Sequence, residues 1–163
     1  MVKKLAAMAL GLILGTAGYY WYADEEKHIK KRFAVLEENL TKKPAEPSLA
    51  TVKKINTIKG LFANPSHIRL QRHPIAGNFA PRDIAQKAAA GRQQFSELNL
   101  KFYDLNLTLN PKDTVQFSVT VRLTGRRTNG EMMADVLELA GKLRKTDGEW
   151  FFAEIAEVEV LQQ

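Results

Sequence analysis

The chain contains no cysteine in its 163 residues. This absence excludes disulfide bonds, thiolate nucleophiles, iron–sulfur ligation and cysteine-bound zinc. The glycine-rich phosphate loops of nucleotide-binding folds and the GxSxG turn of serine hydrolases are also missing. The three histidines show neither HxxxH nor HExxH spacing, so we expect no metal site and no cofactor. Any catalysis would therefore depend on carboxylates or histidines.

The composition is that of a folded domain, with 45% hydrophobic and 26% charged residues. The net charge of +6 is concentrated in one part of the chain, because residues 27–72 contain 11 Lys and Arg against 3 Asp and Glu. Residues 73–163 contain 11 against 12. The lysines follow an apolar segment or are spread over predicted helix faces, so we expect no nucleic-acid partner. They indicate an ordinary solvated helix surface first, and contact with a membrane surface as the alternative.

Residues 5–22 form an uncharged, largely apolar run that follows two lysines. As a helix it would be about 27 Å long, which nearly matches a hydrocarbon core of about 30 Å. The aromatic residues 19–22 would lie at the membrane interface. We therefore predict that residues 1–24 are a transmembrane anchor, with the membrane as a partner through residues 5–22. The alternative is a signal peptide that is cleaved near small residues such as Ala17.

The short basic start before this run favours export of the rest of the chain. We expect a protein of the bacterial inner membrane whose carboxyl-terminal domain lies in the periplasm. Cleavage of the segment would instead give a periplasmic or secreted protein. Gly11 and Gly15 form a GxxxG pair through which two such helices could form a homodimer.

Residues 25–163 predict helices first and strands afterwards. Apolar residues at helical spacing indicate an amphipathic helix over about 25–42 and a second one with Ser48 as its N-cap. Pro81 is typical of the first position of a third helix. The second helix has five apolar positions: Leu49, Val52, Ile55, Ile58 and Leu61. A short strand is expected at 67–71, between the second and third helices.

From residue 100 the apolar period changes to two, which predicts four antiparallel strands. Asp147-Gly148 predicts a two-residue hairpin between the last two strands. The resulting register predicts four cross-strand pairs on one face of the hairpin: Leu143 opposite Phe152, Leu139 opposite Ala156, Leu137 opposite Val158, and Asp135 opposite Val160. A two-residue turn at Asn129-Gly130 would oppose apolar and polar faces, so we expect a bulge or a longer loop within residues 125–130.

This order of elements resembles the nuclear transport factor two-like superfamily, which includes the SnoaL-like polyketide cyclases and the ketosteroid isomerases. The resemblance covers about residues 25–163 and depends most on the segments VQFSVTVRLTGR and MADVLELAGKLRKTDGEWFFAEIAEVEVL. It implies an α+β domain in which three helices and a curved antiparallel sheet form a cone. The N-terminal transmembrane or signal helix precedes this domain.

In enzymes of this superfamily, the resemblance implies a carboxylate base on the first strand and a tyrosine on the first helix. Neither residue can be matched here, because the predicted first strand offers His67, Arg69 and Gln71, and the helix over 25–42 has no tyrosine. The roles of the isomerase base and tyrosine therefore cannot be assigned to any residue of this chain.

Four residues are candidates for a site inside the cone. Asp135 and Glu154 fall on the apolar face of the last hairpin, where burial would raise a carboxyl pKa and suit it to acid or base catalysis. Tyr103 alternates with inward leucines and is a candidate to donate a hydrogen bond to a ligand. Trp150 is a candidate for ligand contact, with simple packing as the alternative.

Two functions follow from these observations. The first is a non-catalytic, membrane-tethered envelope domain that binds a protein partner or a small apolar ligand. The second is a SnoaL-like pocket enzyme of isomerase or cyclase type that uses a buried carboxylate. A cavity that both Asp135 and Glu154 reach would favour the enzyme.

Overall fold

The computed structural model describes the backbone of residues 2–72, 74–110 and 112–158, and their side chains from residue 15 onward. It divides into two compact units, Met1–Lys31 and Arg32–Gln163.

The first helix, α1, runs without a break over Val2–Leu40, so the amphipathic helix expected from residue 25 begins earlier than predicted. Within the part of the chain that the structure describes, no helix is long and apolar enough to cross a membrane. The side chains of residues 5–14, which carry much of the predicted anchor, lie outside the described residues. The anchor and its cleavage therefore stay predictions.

Two further helices follow, α2 over Ser48–Lys59 and α3 over Pro81–Gln93. Pro81 occupies the start of α3 as predicted, because the first helical position needs no amide hydrogen. The N-cap of α2 is Pro47, with extended φ −62° and ψ 144°, so Ser48 is the first helical residue and its prediction as the cap was wrong.

The second unit contains a six-stranded sheet in the order β2-β1-β6-β5-β4-β3. Its strands are β1 Phe62–Leu70, β2 Ile75–Phe79, β3 Phe95–Asn110, β4 Thr114–Arg127, β5 Met132–Thr146 and β6 Glu149–Glu157. The meander of β3 to β6 is confirmed. The prediction of an antiparallel sheet was wrong for one pairing, because β1 pairs in parallel with β6. Strand β2, which was not predicted, pairs with β1 in antiparallel orientation.

The β4–β5 connection is longer than a two-residue turn, as predicted. Arg127 N donates to Glu131 O, so three residues form the loop, and its last residue, Gly130, has φ +92°. The last residue of a three-residue hairpin loop commonly has a left-handed conformation, and glycine adopts this conformation without strain. Val121 consequently pairs with Leu137, which keeps the two apolar faces together.

The β5–β6 hairpin follows the predicted register only near its turn. Leu143 pairs with Phe152, but Lys142 pairs with Glu154, so Ala153 is an extra residue in β6. Beyond this bulge Leu139 lies opposite Glu157 and not opposite Ala156. The predicted partner of Asp135, residue 160, lies outside the described residues. A one-residue shift moves each following side chain to the opposite face of the sheet. The shift therefore determines which side chains of β6 face the cavity described below.

An aromatic cluster fills the centre of the concave face. The Phe33 ring lies 5.1 Å from that of Phe117, 5.0 Å from that of Phe152 and 5.4 Å from that of Phe102, measured between centroids, all edge to face. Such contacts add about 0.5–1.5 kcal/mol per pair beyond the burial of area. The cluster fixes the end of α1 that belongs to the second unit against β3, β4 and β6.

Candidate functional site

A cavity of about 210 Å³ lies between the helices and the concave face of the sheet. Every residue that lines it is aliphatic or aromatic. Leu36, Ile58 and Ala88 contribute from the three helices, and the sheet contributes residues such as Val119 and Leu137. No ionisable side chain among the described residues reaches its wall.

Asp135 lies near this cavity without lining it. It is two residues from the lining residue Leu137 and pairs with the lining residue Leu123, so it belongs to the concave face as predicted. Its Oδ1 accepts a hydrogen bond of 2.8 Å from Nη1 of Arg72. Asp135 is therefore an ion-paired, partly exposed carboxylate beyond the apolar wall.

Glu154 lies on the outer face of the sheet, so its predicted position on the apolar face was wrong. The extra residue Ala153 turns it outward and places Ile155 in the cavity wall instead. A carboxylate oxygen of Glu154 lies 3.2 Å from Nζ of Lys142, and both side chains are about half exposed.

Glu157 is the buried acid of β6 that sequence reasoning missed. Its side chain is 6% exposed, and Oε2 accepts hydrogen bonds from the backbone N–H groups of Gln71 at 2.8 Å and Arg72 at 3.0 Å. Nε of Arg72 lies 3.1 Å from Oε1. Arg72 thus joins Glu157 to Asp135, and the three side chains connect the ends of β1, β5 and β6.

One sequence signal pointed to the bulge that places Glu157. Gly141 interrupts the alternating pattern of β5, and a glycine inside a strand often marks a bulge or a close backbone approach. A Cβ atom at Gly141 would overlap the carbonyl oxygen of Glu154 and lie 2.7 Å from the Phe117 ring. The shifted register brings the backbone of Glu154 close to residue 141, so this position requires a residue without a side chain.

Tyr103 also faces away from the cavity, contrary to the prediction. The pairing of β3 with β4 shifts between Tyr103 and Asn106, where Asp104 has φ +52°. Tyr103 is 45% exposed on the outer face, and the Arg122 guanidinium carbon lies 5.4 Å from its ring centroid. Its role as a ligand donor inside the cone therefore has no support in this geometry.

Trp150 is 4% exposed and lies beside the hairpin turn, with Nζ of Lys145 at 5.7 Å from its ring. It is not among the residues that line the cavity. The structure therefore brings none of the four candidate residues into a common site in the cavity.

A second polar cluster, also unpredicted, lies between α1, α2 and α3. Oε1 of Glu46 accepts hydrogen bonds from Nη2 of Arg92 at 2.7 Å and Oγ1 of Thr51 at 3.0 Å, and its Oε2 accepts one from Nζ of Lys54 at 2.8 Å. Burial raises the pKa of the Glu46 carboxyl, but these hydrogen bonds outweigh it and lower the pKa from 4.5 to about 2. Arg92 also donates to Leu40 O and Thr41 O, so this cluster holds the α1–α2 connection to α3.

The structure shows no candidate metal site among the described side chains. No group of three or more His, Asp or Glu residues among them is arranged to hold a metal ion.

No family model matches the sequence, and no curated protein matches it. Solved structures do match. The Kfla4162 protein from Kribbella flavida has a TM-score of 0.70 at 12% identity, over 87% of this chain and 95% of that chain. A type 3 LinA hexachlorocyclohexane dehydrochlorinase from Novosphingobium barchaimii has a TM-score of 0.66 at 9% identity, over 84% and 87%.

A protein whose name contains NTF2 has a TM-score of 0.55 at 13% identity, over 82% of this chain and 99% of that chain. The chain has the nuclear transport factor two-like fold. This confirms the resemblance that its last two hairpins predicted. At such low identity the likeness shows the fold alone, so the function must be argued from the cavity of this chain.

Proposed function

We propose that the chain is a membrane-tethered envelope domain of non-catalytic type that binds a small apolar molecule in its cavity. The observation that carries this proposal is a cavity of about 210 Å³ whose wall is wholly apolar. The described residues of this wall offer no side chain for proton transfer or for stabilising a charged intermediate. It does favour the transfer of apolar surface out of water, at about 25 cal/mol per Å².

The size of the cavity limits the ligand. An engineered apolar cavity of about 150 Å³ in another protein stays dry and binds benzene. The cavity described here is somewhat larger. A substituted single aromatic ring or a short branched hydrocarbon fits this volume, and a charged or strongly polar molecule would lose its hydration without compensation.

Methyl NMR of the full chain in lipid nanodiscs tests ligand binding directly. On titration with toluene we expect saturable shifts of the Ile58, Val119 and Leu137 methyl groups, which belong to residues of the cavity wall. The methyl groups of Met132 and Val136 in β5 provide an internal control, because these side chains are 65% and 47% exposed and do not line the cavity. Equal, non-saturating shifts of all five residues would indicate only partition into the lipid and would contradict the proposal.

The tether is supported by the uncharged run over residues 5–22 and the lysines before it. A reporter that is active only outside the cytoplasm, fused to the carboxyl end, tests the proposed periplasmic location. The mass of the mature protein tests whether the segment is retained. An inactive reporter would contradict export. A mature chain shorter than the full sequence would contradict the tether and support cleavage of the segment.

A pocket enzyme is the second candidate, and the position of Asp135 on the concave face beside the cavity favours it. Such an enzyme would use Asp135 to remove a proton next to the carbonyl group of an apolar ketone. Exchange of that proton in D₂O, lost on Asp135→Asn and retained on Glu154→Gln, would support it. The non-catalytic proposal predicts no exchange above the rate in buffer.

A further inference from the structure

One side of α2 presents apolar residues to solvent. Leu49 is 82% exposed and Val52 is 56% exposed, although both are among the apolar positions of the predicted helix. Leu49 and Val52 line an open surface groove with Lys53, Asn56 and Thr57. We name these five residues the α2 face.

The helical period explains why this face is separate from the core. At 3.6 residues per turn, positions 49, 52, 53, 56 and 57 lie on one side of α2, and Ile58 lies on the opposite side. Ile58 is 1% exposed and lines the cavity. Helix α2 therefore has two apolar sides, one buried in the domain and one open.

The exposed charge of α2 has one sign. The helix contains three lysines and no acid. Lys53 belongs to the α2 face and Lys59 lies beside it, both exposed. The acid just before the helix, Glu46, is 4% exposed and is already paired with Arg92 and Lys54. An occupant of this face therefore meets apolar and cationic groups.

We propose that the α2 face docks on the surface of an anionic lipid bilayer, an inference that rests on the proposed tether. Leu49 and Val52 enter the boundary between headgroups and acyl chains, while Lys53 and Lys59 contact lipid phosphates. Two apolar side chains bind too weakly alone, but a tether supplies a high effective concentration of the surface. A stable protein interface needs about 800 Å² on each partner, so a lipid surface suits this small patch better.

The lack of cysteine makes a sharp test possible, because a single introduced cysteine can be labelled uniquely. The full chain carrying Val52→Cys and an environment-sensitive fluorophore is reconstituted with vesicles of phosphatidylcholine, alone or mixed with phosphatidylglycerol. We expect a blue shift and an intensity gain only with phosphatidylglycerol. At about 1 M salt, where the Debye length is about 3 Å, the shift should be lost.

Two variants control this measurement. A label at Gln116→Cys, an exposed residue of β4, should not respond to either lipid. The pair Lys53→Glu and Lys59→Glu changes exposed side chains only and should abolish the response at Val52 while the protein still floats with the vesicles.

Each other outcome has a defined meaning. A silent Val52 label on protein that floats with anionic vesicles overturns docking and leaves the tether intact. A response on anionic vesicles without flotation on phosphatidylcholine alone contradicts the tether. Failure to float with either vesicle contradicts both. A blue shift without lipid, together with a dimer by light scattering, would identify a second copy of the chain as the occupant and overturn the proposal.

Discussion

Nη2 of Arg92 lies 2.7 Å from Oε1 of Glu46, and the two side chains are only 3% and 4% exposed. This ion pair joins the connection between α1 and α2 to the last turn of α3. Removing one partner of a buried pair leaves the other charge uncompensated, at a cost of about 3–5 kcal/mol. The cluster therefore holds the helices that form one wall of the cavity.

The lowered pKa of Glu46 predicts a dependence of stability on pH. A carboxyl whose pKa falls from 4.5 to about 2 on folding contributes stability above pH 4.5, and this contribution is lost as the pH falls towards 2. The contribution at neutral pH is up to about 3 kcal/mol. Denaturant unfolding at a series of pH values across this range gives the free energy of unfolding of wild type and Glu46→Gln. This free energy should depend less steeply on pH in the variant. Glu38→Gln, at an exposed position on α1, is the control; parallel slopes for all three proteins would contradict the assignment.

Gly141 should not tolerate a side chain. A Cβ there would overlap Glu154 O and crowd Phe117, so we expect Gly141→Ala to lower the free energy of unfolding by about 1–3 kcal/mol or more. Gly91→Ala is the matched control, because it lies in α3 with nothing within 4 Å of the added carbon. This control should raise stability by up to about 1 kcal/mol. A neutral Gly141→Ala would argue against the bulge register.

Glu154 and Glu157 in β6 should respond differently to the loss of charge. Glu157→Gln keeps one oxygen that can accept from the two backbone N–H groups, but it removes the negative charge and places an NH2 group, which cannot accept, beside Arg72, so we expect a loss of about 1–3 kcal/mol. Glu154→Gln removes an exposed pair and should change stability by less than about 0.5 kcal/mol. Thermal unfolding of both variants measures the difference, and the reverse order would contradict the shift at Ala153.

The order of helices and strands could be predicted from the sequence because it depends on local periodicity. The longer loop between β4 and β5 was also predictable, since a two-residue turn at Asn129-Gly130 would have opposed an apolar face to a polar one. This loop pairs Val121 with Leu137. The same reasoning failed at Ala153, where one extra residue moved Glu154 outward and left the buried acid at Glu157. Alternation alone is compatible with either register.

The Glu46–Arg92 pair shows a second limit of sequence reasoning. Its residues are 46 positions apart and belong to no motif, so only the packing of the three helices brings them together. Tyr103 illustrates the same limit in β3, because a left-handed residue at Asp104 redirects it and neither glycine nor proline marks that site.

The central claim, that the apolar cavity binds a ligand, is tested most directly by filling the cavity. Ala88 on α3 lines it, whereas Ala90 on the same helix is exposed. We expect Ala88→Leu to weaken toluene binding strongly in the methyl NMR titration, and Ala90→Leu to bind as wild type does. Equal saturable binding by all three proteins would contradict the account.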